Sequence, residues 1–206
     1  MNIVILHGLY MHSIVMQPLA SSLEKLEFTT KLITYNTLSI DAERVFSLID
    51  QALDLQQRNI LVGHSLGGLI IQRYLENRNI DTQTVSHVVT IGSPLQGASI
   101  VSVIEELGLG ILLGNATEHG LAAQDNKWVV PQCLGSIAGN FDFGARRLLV
   151  GELEESDGTV TVEETQIEGM ADHIVTKLSH TALIYSAFVP KQIEHFVKNS
   201  KFDHAS

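Results

Sequence analysis

The segment Gly63-His64-Ser65-Leu66-Gly67 sets one serine between two glycines at the spacing G-x-S-x-G. An apolar run, Asn59 to Val62, leads into it, and a helical pattern through Leu69, Ile70, Arg73 and Tyr74 leads out. A sharp strand-to-helix turn holds its serine in a strained backbone conformation. It also lifts the hydroxyl to a helix N-terminus, where the dipole favours developing negative charge. Residues two positions away must lack side chains to avoid collision, which is what Gly63 and Gly67 supply. The chemistry this pattern suits is nucleophilic attack on an acyl carbonyl.

A serine hydroxyl needs a general base within hydrogen-bond reach, and the base needs an orienting acid. The histidines after Ser65 are His87, His119, His173, His180, His195 and His204. His87 is read as opening a strand, His195 as lying in the polar phase of the last helix, His204 in the tail and His119 in a glycine-rich insertion. His173 begins the last strand, at the N-terminal edge of the sheet, whereas His180 follows that strand's C-terminal end. Ligands and chemistry gather at the carboxyl ends of parallel strands, which ranks His180 ahead of His173. For the acid, Asp142 and Asp157 both follow the fifth strand. Asp157-Gly158 makes a tight turn that can aim a carboxylate, so Asp157 ranks first and Asp142 is the alternative. Attack on an ester also requires two preorganised donors for the oxyanion, and the backbone N–H of Leu66, the residue after the nucleophile, is one.

The elements that must position these groups alternate along the chain. Strands are predicted at Ile3–Leu6, Lys31–Tyr35, Asn59–Val62, His87–Ile91, Leu134–Ala138 and His173–Lys177. Between them lie helical patterns: one started by Pro18 with Leu19, Leu23 and Leu26 on a face; one after a candidate cap at Ser39, with Val45, Leu48, Ile49, Ala52 and Leu53; and Leu66–Asn77. A last helix spans Pro190–Lys198. Nearly continuous apolar strands separated by amphipathic helices predict an α/β fold: a mostly parallel sheet of about six strands covered on both faces. The rhythm breaks between Leu95 and Gln132. Residues 95–132 are too long for a plain connection and are read as a small cap inserted into a single domain spanning residues 1–206. Within it, Ile100, Val101, Val103, Ile104 and Leu107, extended by Ile111 to Leu113, could present an apolar face to an acyl chain or simply pack on the domain.

Composition narrows the classes. Hydrophobic residues are 45% and charged residues 17%, enough apolar material for a core, so disorder of the whole chain is excluded. Thirteen basic against 23 acidic residues give a net charge of −10, without the basic footprint that nucleic-acid binding requires. Cys133 is the single cysteine, so no internal disulfide can form and no cysteine cluster can hold zinc or iron–sulfur. His12 lacks partners at ligand spacing, and no metal or organic cofactor is expected. The first eight residues lack a basic region and a long apolar stretch, so no secretory signal is expected and a cytoplasmic location is. The uncharged run Leu107–Thr117 is too short to span a bilayer.

Taken in order, these motifs resemble the α/β-hydrolase superfamily, and within it compact serine lipases and esterases. Gly63 to Gly68 resembles the nucleophile elbow, and His7-Gly8-Leu9 the oxyanion loop after the family's third strand. On that resemblance the chain is expected to start at the family's third strand, without the first antiparallel hairpin, an economy that small compact lipases share. Gly92-Ser93-Pro94-Leu95-Gln96-Gly97 resembles the G-[ST]-P-x-x-G turn, Asp157-Gly158-Thr159-Val160 the acid motif, and Ser179-His180-Thr181 the histidine loop. The resemblance implies Ser65, Asp157 and His180 as catalytic residues. It gives Leu9 as the second oxyanion donor, with Tyr10 the alternative, and Tyr10, His64 and Leu95 as substrate contacts; His7 is read as packing beneath the loop. It implies hydrolysis of a carboxylic ester through an acyl-enzyme, on a small acyl ester or a lipid, with a transient contact to a membrane surface as a further expectation. Acyl transfer, thioester hydrolysis and a catalytically silent binding protein are the competing readings.

Overall fold

A computed structural model describes residues 1–99, 101, 113–119, 127–141 and 155–205 of the 206-residue chain. Six strands form one sheet: β1 (Asn2–Leu6), β2 (Thr29–Ile33), β3 (Asn59–His64), β4 (Val85–Ile91), β5 (Cys133–Gly139) and β6 (Asp172–Thr176). Their order across the sheet is β2-β1-β3-β4-β5-β6, and every pairing is parallel. Helices α1 (Gln17–Glu24), α2 (Ala42–Ala52), α3 (Leu66–Arg78), α4 (Ala182–Tyr185) and α5 (Phe188–Asn199) flank it. This is the α/β-hydrolase architecture expected from the sequence.

The sheet's two faces explain why the central strands read as unbroken apolar runs. Val4, Leu6, Leu61 and Val88 pack with Val45 and Ile49 of α2 and Ile70, Ile71 and Tyr74 of α3. The intervening Ile3, Ile5, Ile60, Val62 and Val89 pack on the other face, with Leu19 and Leu23 of α1 and Ile193 and Phe196 of α5. Alternate side chains thus enter opposite cores, and the strand between two helical layers has no polar phase.

The departures from expectation lie at the edges. β2 begins at Thr29, two residues before the predicted start, because Thr29 pairs with Asn2 and the strand ends where Ile33 meets Leu6. Its exposed Thr29 and Lys31 mark an edge strand. α2 is capped by Asp41, not Ser39: Asp41 Oδ1 accepts from the Arg44 N–H at 3.1 Å. His87 lies inside β4 rather than opening it, half-buried with its ring edge-on to Phe196. From the insertion, Leu95, Ala98, Val101, Leu113, Ala116 and Trp128 are buried in the α2–α3 core. Ile100, Val103, Ile104, Leu107, Ile111 and Leu112 lie outside the described residues. No helix among the described residues is long and apolar enough to cross a membrane.

Candidate active site

β3 ends at His64 and α3 starts at Leu66, so Ser65 alone makes the turn. It does so at φ 53°, ψ −123°, a backbone conformation that costs a non-glycine residue about 1–3 kcal/mol and persists only where the surroundings enforce it. Its N–H donates to Ile91 O of β4 at 3.0 Å. A Cβ on Gly63 would stand 2.4 Å from Gly68 N, and one on Gly67 would stand 2.6 Å from Leu6 O. Both collisions are with backbone, so no rotamer change could relieve them. The G-x-S-x-G spacing is thus a packing requirement of this turn.

The loop after β1 crosses directly over the serine. A Cβ on Gly8 would come within 2.8 Å of Ser65 Cβ. The loop is held from below by His7, which is fully buried and stacked on Tyr35 at 4.5 Å. The Tyr35 N–H donates to His7 Nε2, so the imidazole carries its proton on Nδ1 and donates that to Gly8 O at 3.0 Å. Burial pulls the His7 pKa below 6.5, against the opposing pull of the Gly8 carbonyl. A turn closed by Met11 N–H to Gly8 O gives Tyr10 a φ of 58°. The Tyr10 N–H is engaged by Thr37 Oγ1 at 3.1 Å. Leu9 offers the other N–H of this loop, and Leu66 offers a second at the first position of α3, where helix geometry supplies no partner.

Asp157 and His180 form a separate unit. Asp157 is 1% exposed; its Oδ1 accepts from the N–H groups of Thr159 at 3.0 Å and Val160 at 2.8 Å. That leaves Oδ2 to face His180 Nδ1 at 2.7 Å, while the His180 N–H donates to Asp157 O at 2.9 Å. A carboxylate at Nδ1 fixes the proton there and leaves Nε2 with its lone pair. Glycines at two strand ends make room: a Cβ on Gly92, after β4, would lie 3.0 Å from Asp157 Oδ2, and one on Gly139, ending β5, would lie 2.8 Å from Asp157 Cβ.

His64 joins the two units. It precedes Ser65, its ring lies 4.7 Å from that of His180, and its Nε2–H donates to His180 O at 3.1 Å. Burial, then the neighbouring His180, lowers its pKa well below 6.5, so it is neutral. The structure therefore sets the Ser65 turn, the loop carrying Leu9, the start of α3 at Leu66 and the Asp157–His180 pair around His64. Of the three expected substrate contacts, His64 and Leu95 have no exposed surface, because β3 and the turn after β4 direct them into the interior. Tyr10 is 60% exposed beside the site. His173 is bonded through Nε2 to Thr165 Oγ1 at 2.9 Å and takes no part in this cluster. Asp142 lies outside the described residues.

Sequence reasoning gave no role to Gly139 or to Glu164, a buried carboxylate near the Asp157 loop. The Thr161-x-x-Glu164 spacing of a capping box was the available signal for the latter. Among the described residues no group of three potential metal ligands occurs. A cavity of about 570 Å3 beside α5 is bordered by Leu26, Phe188 and His195. None of its lining residues belongs to the Ser65 cluster.

The profile of the PGAP1-like alpha/beta domain family matches residues 4–140. The match includes the Ser65 turn and ends before Asp157. None of the proteins of curated function matches the chain in sequence. Among solved structures, a lipase from Bacillus licheniformis, BlEst2 in mature form, is similar with 19% identity and a TM-score of 0.67, over 96% of this chain and 90% of that one. The metagenomic carboxyl esterase MGS0156 is similar with 14% identity and a TM-score of 0.69, over 97% and 76%. The surfactin thioesterase domain SrfTE is similar with 13% identity and a TM-score of 0.61, over 97% and 92%. At these identities the likeness is one of fold.

Proposed function

The chain belongs to the PGAP1-like alpha/beta domain family, within the α/β-hydrolase superfamily, and on that premise we propose that it is a serine hydrolase of carboxylic esters. Ser65 Oγ attacks the ester carbonyl while His180 Nε2 takes its proton. The tetrahedral oxyanion accepts hydrogen bonds from the N–H groups of Leu9 and Leu66. Collapse breaks the ester C–O bond, and His180 returns the proton to the departing alkoxide, which leaves as the alcohol. Water, deprotonated by His180, then releases the acid and restores Ser65. Asp157 holds the imidazole in the required tautomer and stabilises it when it becomes charged.

The observation that carries this reading is the Asp157–His180 pair at 2.7 Å, tied through His64 to the strained Ser65 turn beneath Gly8. Chemistry of this kind needs no cofactor. The proposed substrate class is a medium- or long-chain acyl ester, including lipid esters, bound beside Leu9 and Tyr10. A buried methylene contributes about 0.8 kcal/mol, so four more favour binding by roughly 3 kcal/mol where the groove accepts them.

Hydrolysis of p-nitrophenyl esters of C2, C4, C8 and C12 acids, below their micellar limits, tests it. Turnover that a serine-reactive phosphonate abolishes, with kcat/KM rising from C2 to C8, is the expected result. A monotonic fall from C2 removes the lipid substrate class, and absence of turnover on every ester removes the hydrolase reading.

A further inference from the structure

Glu164 is 9% exposed, yet its carboxylate takes no part in the chemistry proposed for Ser65, Asp157 and His180. A buried carboxylate is costly unless hydrogen bonds replace its hydration, so its partners indicate what it holds. Oε2 accepts from the Thr161 N–H at 2.8 Å, and the Glu164 N–H donates back to Thr161 Oγ1 at 3.1 Å. Oε1 accepts from the Ser99 N–H at 2.6 Å, in the segment that leaves β4. The same segment is fastened again by the Gln96 N–H to Glu164 O at 3.1 Å and by Gln96 Nε2 to Gln166 O at 2.6 Å.

Thr161 closes the loop that carries the acid. It bridges Ser156 in an antiparallel pair, and between them the Asp157 N–H donates to Val160 O at 3.0 Å. The other end of the Glu164 turn is anchored to β5, where Ser136 Oγ donates to Thr165 O at 2.8 Å. One carboxylate therefore bonds the backbone of two segments far apart in sequence, one holding Asp157 and the other beginning the insertion. Both of these are charge-assisted hydrogen bonds to backbone N–H groups, the stronger class of such contacts.

We propose that Glu164 is a positioning residue: it clamps the Asp157 loop to the segment after β4 and thereby keeps the Asp157 carboxylate on His180. The proposal rests on the triad reading of the preceding subsection, and its test separates the two. The Nδ1–H of an imidazole bonded to a carboxylate gives a downfield proton resonance that is read without substrate. That resonance is expected in the full-length protein and lost in Asp157→Asn. In Glu164→Ala and in Thr161→Val it is expected to shift or broaden, and in Thr161→Ser it is expected to return. With esters, Glu164→Ala is expected to lower kcat about tenfold with KM within about twofold, and to add less than about twofold on top of Asp157→Asn, because residues acting through one another are not additive.

An unchanged resonance in both Glu164→Ala and Thr161→Val overturns the clamp, as does a full tenfold loss retained in the Asp157→Asn background, which would mark a general structural role. Should Glu164→Ala fail to fold, Thr161→Val against Thr161→Ser carries the same comparison, because it removes the reciprocal bond and leaves the carboxylate in place. A wild-type protein that shows the resonance but no ester turnover removes the hydrolase reading and leaves the clamp decided by the spectra.

Discussion

The candidate nucleophile Ser65 and the proposed acid–base pair, Asp157 and His180, are held by different kinds of contact. Around Ser65, at the centre of the sheet, the fixing contacts are backbone against backbone: Gly63 on Gly68 N, Gly67 on Leu6 O, and Ser65 N–H to Ile91 O. Around Asp157 and His180, beyond the ends of β5 and β6, side chains bonded to backbone join the backbone contacts: Asp157 Oδ1 accepts from Thr159 and Val160 N–H, and His64 Nε2–H donates to His180 O. A side chain added at Gly63 or Gly67 must break fold and chemistry together. A change in the second can remove the chemistry and leave the fold. This division follows from burial, since a strained turn survives only inside a packed sheet, whereas a loop can be shaped by a few hydrogen bonds.

The largest expected effect lies in the second region. Asp157→Asn keeps the size of the side chain but lets the amide favour the wrong histidine tautomer, and His180→Ala removes the base. Each is expected to lower kcat roughly 10³–10⁴-fold, with thermal midpoints within a few degrees of wild type for Asp157→Asn. His173→Ala, at the opposite end of β6, should stay within about threefold at equal folded fraction. If His173→Ala lost more activity than His180→Ala, the base would be misassigned.

In the first region, Gly63→Ala places a methyl group against three backbone atoms at 2.4 to 2.6 Å. Stability is expected to drop by about 3 kcal/mol or more, with activity falling in step with the folded fraction. A urea midpoint equal to that of wild type would show that the turn has slack the contacts do not reveal.

Acid should separate the two regions more gently. His7, in the first region, and His64, which joins the two, have pKa values held below 6.5 by burial. The unfolded chain then binds the extra protons, so their contribution is complete above about 6.5 and is lost as pH falls below it. Asp172, at the β6 edge, is lowered instead: burial works against this, but hydrogen bonds from Phe202 N–H, His204 and His173 N–H outweigh it. Its contribution is present above the usual carboxylate value of 3.8 and is lost only as pH falls through its lower folded value. The thermal midpoint should therefore decline between pH 7.5 and 5.5, less steeply in His64→Gln. An equal slope in that variant would remove His64 from the account.

How much of this was legible in the sequence follows the same division. The turn at Ser65 is local, so two glycines, an apolar run before and a helical pattern after were enough. The central strands were readable because both their faces are buried. Edge strands were not readable to the residue: β2 carries exposed Thr29 and Lys31, and its start is set by pairing with Asn2, which periodicity does not encode. The acid and base were ranked from the strand edge they follow and from family resemblance, since 23 residues separate Asp157 from His180. The Glu164 clamp was missed because its Ser99 partner is 65 residues away. The direction of His64 and Leu95 was missed because sequence adjacency to a reactive residue does not say which way a side chain faces.

The most direct test of the central claim is covalent. Full-length protein treated with a fluorophosphonate should gain one adduct per chain, and peptide mass spectrometry should place it on Ser65. Ser65→Ala should gain none, and His180→Ala should label at least about 100-fold more slowly, as expected when the general base is removed. An adduct on any other serine, or undiminished labelling of Ser65→Ala, would contradict the assignment of Ser65 as the nucleophile.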